Sequence, residues 1–328
     1  MEKVDTQPDD LPAEAPHRIQ LPRAWQGQRL DRAVARLFGG HSRGEIQEWI
    51  GAGRVLLEGD RAPAKTRIRG GEWIRVAPPG RAAVNRGWRP APVPLEVVHA
   101  DDDILVIAKP AGLVVHPAPG HVADTLVNGL LHAYPELADV ERAGIVHRLD
   151  RDTSGLLVVA RSARIRDLLV KQFKRRAIDR CYLAVVRGEL TSGGRIEAPI
   201  ARHPRHRTRF AVVEGGKPAV THYRVRERFR GATLIEARLE TGRTHQVRIH
   251  MAHTGHPVLG DPLYGGKGWM PPGLDEAGRA LIQGFRRQAL HAGRLGLVHP
   301  GSGEECRWEM APPEDMQRVM DALREAAG

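Results

Sequence analysis

Residues 144–161 read GIVHRLDRDTSGLLVVAR, two apolar runs on either side of a polar stretch from His147 to Ser154. The second run, GLLVVAR, is short and unbroken, as a fully buried strand is. The polar stretch is therefore a loop held by buried chain, which is where reactive groups usually sit. Asp150 lies between Arg148 and Arg151. Guanidinium neighbours favour its ionised form, which suits a nucleophile or an electrostatic stabiliser better than a general acid. An internal ion pair fits the same three residues. Asp152 and Thr153 read as turn formers whose side chains bond the local backbone. Ser154 lacks the G-x-S-x-G elbow, so the block is not that of a serine hydrolase.

Downstream, Ser162 is placed to cap a helix carrying Ile165, Leu168, Leu169 and Phe173 on one face. CYLAVVRG, AVTHYRVRERF and ATLIEARLE are strands rich in β-branched and aromatic residues. Side chains alternate along a strand, so Arg224, Arg226, Arg228 and Arg230 are expected on one side, facing either solvent or RNA. Residues 239–266, LETGRTHQVRIHMAHTGHPVLGDPLYGG, form a second polar cluster. Within it HQVRIHMAHT is expected as a short helix, with Thr244 as its N-cap and Gly255 as its stop, although the alternation of Val247, Ile249 and Met251 also allows a strand. Four histidines fall here, at 245, 250, 253 and 256. No cysteine or carboxylate is spaced to complete a metal site and H-E-x-x-H is absent, so packing or phosphate contact is the expected role.

Upstream, LEVVHADDDILVIAKP gives two strands around an acidic turn. Residues 81–94 are proline-rich and aperiodic, as a linker is. Before them, RLDRAVARLF and SRGEIQEWIGAG read as helices, the second with Ser42 and Glu45 as a capping box. RVLLEG and EWIRVAP read as short strands around glycine turns. Residues 1–17 are acidic, proline-rich and without period, hence a disordered tail. The expected divisions are 1–17, 18–80, 81–94 and 95–328.

Composition bounds the function. The 328 residues carry a net charge of +11, and residues 18–89 alone hold 15 basic and 6 acidic side chains. A basic module of that kind implies a polyanion partner. No apolar run approaches the ~18 residues of a membrane span. With two cysteines there is no disulfide framework, and a reducing cytoplasm is expected. There is no Walker loop, no G-x-G-x-x-G after a strand and no paired-carboxylate pattern, so no cofactor and no metal are expected.

The block HRLDRDTSGLLVVAR is similar to the signature segment of the RluA-type pseudouridine synthases. Five further runs resemble successive blocks of that catalytic domain: AKPAGLVVHPAPG, DRCYLAVVRGEL, RHPRHRTRFAV, GKPAVTHYRV and the cluster at 239–266. Residues 28–78 resemble an S4 RNA-binding domain. The resemblance implies a mixed α/β (α+β) fold: a small S4 domain, then a catalytic domain on a largely antiparallel mixed sheet. It implies isomerisation of uridine to pseudouridine, with Asp150 as the catalytic aspartate. Tyr182 matches the tyrosine that stacks on the target base, and Arg248 the arginine that pairs with the aspartate. Arg148 matches the arginine that fills the space left by the displaced nucleotide. His147, Arg151, Arg243, His245 and Lys109, basic residues of the same blocks, are expected to contact substrate RNA.

The chemistry follows from those residues. Target uracil must leave the stack, and stacking on Tyr182 returns on the order of 1–3 kcal/mol. Cleavage of the C1′–N1 bond leaves positive charge on the sugar. Asp150 can attack C1′, take the C2′ proton or stabilise the charge, and Tyr182 is a candidate for removing the C5 proton after rejoining. The blocks resemble most the branch acting on 23S ribosomal RNA. The expected partner is large-subunit RNA, including pre-50S particles, with the protein acting as a monomer. The alternatives are a synthase of other ribosomal or transfer RNA uridines, or a non-catalytic RNA-binding or ribosome-assembly factor. Asp150, Tyr182 and Arg248 together argue against the last.

Overall fold

The computed structural model describes residues 16–38, 43–78, 88–118, 120–206, 209–266 and 268–326. The chain forms two compact units, residues 1–86 and 87–328. In the first, β1 (His17–Gln20), β2 (Val55–Leu57), β3 (Asp60–Arg61) and β4 (Trp73–Val76) form an antiparallel sheet in the order β1-β4-β2-β3. His17, placed in the tail by composition, instead opens β1 opposite Val76. A strand of four residues is too short to show a period.

Helices α1 (Leu30–Leu37) and α2 (Arg43–Gly51) bury Leu30, Val34, Ile46 and Ile50 against Leu21, Val55, Ile74 and Val76. Asp31 on α1 is fully buried and accepts hydrogen bonds from Arg29, Arg43 and Gln47 at 2.7–3.3 Å. Burial pushes its carboxyl up, but these donors outweigh that and hold it at about 2. Since Arg43 and Gln47 belong to α2, this carboxylate pins the two helices together. Ser42, residues 1–15 and residues 81–87 lie outside the described residues.

In the second unit the strands are β5 (Glu96–Ala100), β6 (Ile104–Lys109), β7 (Ser154–Ala160), β8 (Asp179–Arg187), β9 (Gly194–Glu197), β10 (Ile200–Arg202), β11 (Phe210–Val212), β12 (Val220–Phe229), β13 (Ala232–Leu239), β14 (Leu290–Val298) and β15 (Glu305–Glu309). All but β10 and β11, which pair with each other, make one nine-stranded sheet. Its order is β5-β6-β7-β14-β8-β13-β12-β9, with β15 added to β14. Every pairing is antiparallel except β7 with β14. The helices are α3 (Leu126–Ala133), α4 (Ala163–Lys174), α5 (Gln246–His253), α6 (Glu276–Gly284) and α7 (Glu314–Glu325). This is an α+β architecture.

All seven residues of β7 are buried, because helices cover both of its faces. On one, Ile165 and Leu169 of α4 meet Ile104, Val106, Leu156 and Val158. Ser162 caps α4 by accepting from the Ile165 N–H at 3.3 Å. On the other face, Leu126 and Leu130 of α3 join Leu105, Ile107, Leu157 and Val159. Residues 88–94, read from composition as linker, run along α3: Asn128 Nδ2 donates to the Arg89 carbonyl at 2.6 Å, and Trp88 packs on the core.

The arginines of β12 do not share one face. A register shift between Val225 and Glu227 puts Arg224 opposite Glu236 but Arg228 opposite Thr233. One extra residue in a strand inverts its alternation from there on. Arg224 and Arg226 accordingly reach Glu236 at 2.8 and 3.6 Å, whereas Arg228 donates to the Leu190 and Thr191 carbonyls.

Candidate active site

The polar loop predicted between buried runs is a tight turn, closed by the Thr153 N–H donating to the Asp150 carbonyl at 3.1 Å. The turn is tied to its surroundings by further hydrogen bonds. The Arg151 carbonyl accepts from Gly112 N and from Lys109 Nζ, both at 2.9 Å, and Gln288 Nε2 donates to Thr153 Oγ1 at 3.0 Å. Directly after the turn comes the one parallel junction, where Ser154 pairs with His291 and Gly155 with Ala292. Gly155 has φ +118°, and a Cβ there would stand 2.3 Å from the Ala292 carbonyl oxygen. Only glycine lets β14 approach so closely. The Asp150 turn thus issues from the middle of the sheet with little freedom.

Opposite stands α5, buried along most of its length. Its buried polar side chains are tied: Gln246 to Val220, Thr221, Thr241 and Arg243, and His250 to Thr221 and Ala198. The expected helix is present, but its N-cap is His245 rather than Thr244, in the left-handed region at φ 57°. Backbone strain in a non-glycine residue persists where its surroundings over-determine it.

Arg248 of α5 carries the central geometry. Nε and Nη2 donate to the two oxygens of buried Asp261 at 2.7 and 2.9 Å, and Nη1 donates to Asp150 Oδ2 at 2.9 Å. Asp261 Oδ1 also accepts from the Leu263 and Tyr264 N–H groups. A two-point grip by one carboxylate fixes the plane of the guanidinium, leaving one edge for the other. The partners hold the Arg248 guanidinium charged despite burial, with its pKa raised.

His245 approaches the second oxygen of Asp150, Nε2 standing 3.8 Å from Oδ1. Its Nδ1 lies 2.9 Å from Tyr264 Oη, which accepts from the Phe210 N–H at 3.3 Å. Tyr264 then has its own proton left for Nδ1. Burial lowers the pKa of His245, so the imidazole is neutral near pH 7. With Tyr264 donating to Nδ1, the single hydrogen of the ring sits on Nε2, facing Asp150.

Asp150, Arg148, His147, Tyr182, Arg243 and His245 line a cleft of about 620 Å³. Tyr182 on β8 forms part of its wall, buried but for 7% of its surface. Burial pushes its hydroxyl up, only partly offset by Arg180, so it is a phenol at neutral pH. Six cations line the cleft, Arg142, Arg148, Lys174, Arg176, Arg180 and Arg243, against the carboxylates Asp150 and Glu240. Such walls attract a polyanion.

Three expected RNA contacts are placed otherwise. Lys109 is 1% exposed, and its ammonium donates to the carbonyls of Pro110, Leu113 and Arg151 at 2.7–3.0 Å. Burial pushes it down to about 7, with Asp152 and Asp150 pulling the other way. It braces the Asp150 turn from inside. Arg151 points away from the cleft and chelates Asp152 at 3.0 and 3.1 Å. His147 lines the cleft, but Nε2 accepts from the Val158 N–H at 3.0 Å and its ring packs on Phe173. Burial lowers its pKa to about 3, so it offers RNA no charge. Lys109→Met should leave the Pro110 and Leu113 carbonyls without that donor and lower stability by about 2–3 kcal/mol. A urea titration checks this, and an unchanged midpoint would contradict the bracing role.

Asp261 and Tyr264 are the functional positions that sequence reasoning passed over. Both stand in LGDPLYGG, where an aspartate just before Pro-Leu-Tyr is a local signal for a carboxylate bonding the following N–H groups. Among the described residues no group of three or more histidine, cysteine or acidic side chains could hold a metal ion.

A carboxylate gripped by a fixed guanidinium, with an aromatic wall in a basic cleft, is an arrangement suited to chemistry on a polyanion such as RNA. The sequence pattern of the RNA pseudouridylate synthase family matches residues 103–253, and that of the S4 domain residues 28–74. The chain is 51% identical over 305 residues to "Ribosomal large subunit pseudouridine synthase D" of Xanthomonas campestris pv. campestris, covering 93% of this chain and 92% of that one. It is 49% identical over 299 residues to the protein of the same name from Yersinia pestis, covering 91% of each. The solved structure of human RNA Pseudouridylate Synthase Domain Containing 4 shares the fold, with a TM-score of 0.56, 24% identity and coverage of 74% of this chain and 95% of that one. The chain belongs to the RNA pseudouridylate synthase family, and is an isomerase with an S4 domain ahead of its catalytic domain. No helix among the described residues is long and apolar enough to cross a membrane.

Proposed function

We propose that the protein converts uridines of large-subunit ribosomal RNA to pseudouridine in the cytoplasm, as a monomer on free RNA or pre-50S particles. The observation that carries this reading is the 2.9 Å contact from Arg248 to Asp150, inside a basic cleft walled by Tyr182. The names of the relatives supply the RNA.

A flipped uridine stacks on Tyr182, and Arg148, exposed at the rim, fills the vacated stack. Asp150 then faces ribose C1′. The C1′–N1 bond breaks, its electron pair staying on N1, and the carboxylate answers the positive charge left on the sugar. After rotation C5 bonds to C1′. A group beside C1′ is now beside C5 as well, so Asp150 accepts the C5 proton, and N1 gains one from solvent. Tyr182, held as a phenol, has the stacking role and not that of base. His245 Nε2, 3.8 Å from Asp150, is placed to donate to the adjoining 2′-hydroxyl, so His245→Ala should slow turnover about tenfold, within the usual range for a single hydrogen bond. Proton loss at C5 equals proton gain at N1, so no cofactor takes part.

The S4 unit supplies salt-dependent affinity. Deleting residues 1–86 should weaken RNA binding and flatten its salt dependence by about 0.9 per lost duplex phosphate contact. Titrations of both proteins across salt decide this, and equal slopes would remove the unit from the backbone. Mapping pseudouridine in RNA from a deletion strain tests the substrate. Sites should vanish from large-subunit RNA; loss confined to transfer RNA would overturn that assignment while leaving the chemistry.

A further inference from the structure

Tyr182 and Cys181 are neighbours on β8, so they face opposite sides of the sheet. Behind the catalytic cleft, Cys181, Leu183, Arg226, Glu236, Arg294 and Arg307 help line a second depression of about 420 Å³. At its floor Glu236 is 2% exposed, and four guanidinium groups converge on it: Arg224 at 2.8 Å, Arg238 at 3.2, Arg294 at 3.3 and Arg226 at 3.6 Å. Burial pushes its carboxyl up, but Arg224, Cys181 and Arg294 outweigh that and hold it at about 2. Asp179 takes another edge of Arg294, and Glu309 pairs with Arg307.

We infer that this reverse face is a second binding surface for the RNA backbone. One carboxylate offers about four acceptor positions, whereas four guanidiniums carry about twenty N–H donors. Neutralising Glu236 needs one arginine. The others are held in fixed orientation with donors to spare, since Arg224, Arg226 and Arg238 have about half or more of their side-chain surface in solvent, at 62, 54 and 48%. Pre-oriented planar forks suit phosphate oxygens. The five arginines face three carboxylates, leaving the patch positive. From β12 to β15 the array crosses four strand spacings, on the order of 19 Å, which one free phosphate cannot span but a run of nucleotides can.

This inference rests on the reading of a large structured RNA as substrate, which reaches beyond a cleft that takes one loop. The test is the full-length triple variant R224Q/R226Q/R307Q, changed only at residues outside the cleft. On ribosomal RNA its slope of log affinity against log salt should fall by about 2, at ~0.7–0.9 per contact. Affinity should drop at least tenfold, while turnover on a short stem-loop bearing the target stays as in the parent. The triple lysine variant, which keeps the charge, should retain the slope. Parent-like affinity and slope in the glutamine variant would overturn the inference, and would leave the face to a protein partner or to solvent. If the parent modifies only other RNAs, the large-subunit reading fails, and the variant's slope on those RNAs still decides this one.

Discussion

The Asp150→Asn protein is expected to fold and bind RNA as the parent does, and to form pseudouridine at less than a hundredth of the parent rate. The substitution is nearly isosteric, and the amide oxygen can still accept from Arg248. It cannot supply the negative charge that answers the developing cation at C1′, nor take up the C5 proton. Losing one pre-organised charge at a reacting centre costs a factor of about 10²–10³ or more. Single-turnover assays measure this, and a rate within tenfold of the parent would remove Asp150 from the chemistry.

Arg248→Ala should have the largest effect on the fold. It strips Asp261, which is fully buried, of both donors of its bidentate partner, leaving the N–H groups of Leu263 and Tyr264. Breaking a buried pair by removing one member typically costs about 3–5 kcal/mol. Arg248→Lys separates the two roles of the residue. An ammonium keeps charge beside Asp261 but lacks the planar fork that reaches Asp150 at the same time. Most of the stability should return, while turnover stays about 10²-fold down, as a misplaced reacting group implies. Denaturant midpoints and kcat from the same preparations test the split; a lysine variant with full turnover would show that the fork does not position Asp150.

What could be read from the chain was local. The loop bearing Asp150 announced itself because its apolar flanks adjoin it in sequence, and the helix at 246–253 because Gly255 and Pro257 punctuate it. Arg248 and Asp150 stand 98 positions apart. Nothing in spacing joins them, and their pairing came only through the resemblance. Lys109 looked like a surface cation beside a proline. Its burial arises because Arg151, 42 positions on, brings a carbonyl to it, which no local pattern encodes. The arginine row of β12 misled for the opposite reason. Its alternation is perfect in sequence, and the bulge that breaks it depends on how β13 pairs. His147 was read from its charge, whereas Phe173 and the Val158 N–H decide its role.

The central claim is that Asp150 drives exchange of the C1′–N1 bond for a C1′–C5 bond. Large-subunit ribosomal RNA carrying tritium at uracil C5 tests it most directly. The parent should release tritium to solvent in step with pseudouridine formed, without added metal or nucleotide, and the Asp150→Asn protein should release none above background. Equal release by the two proteins, or pseudouridine formed with the label retained, would contradict the account.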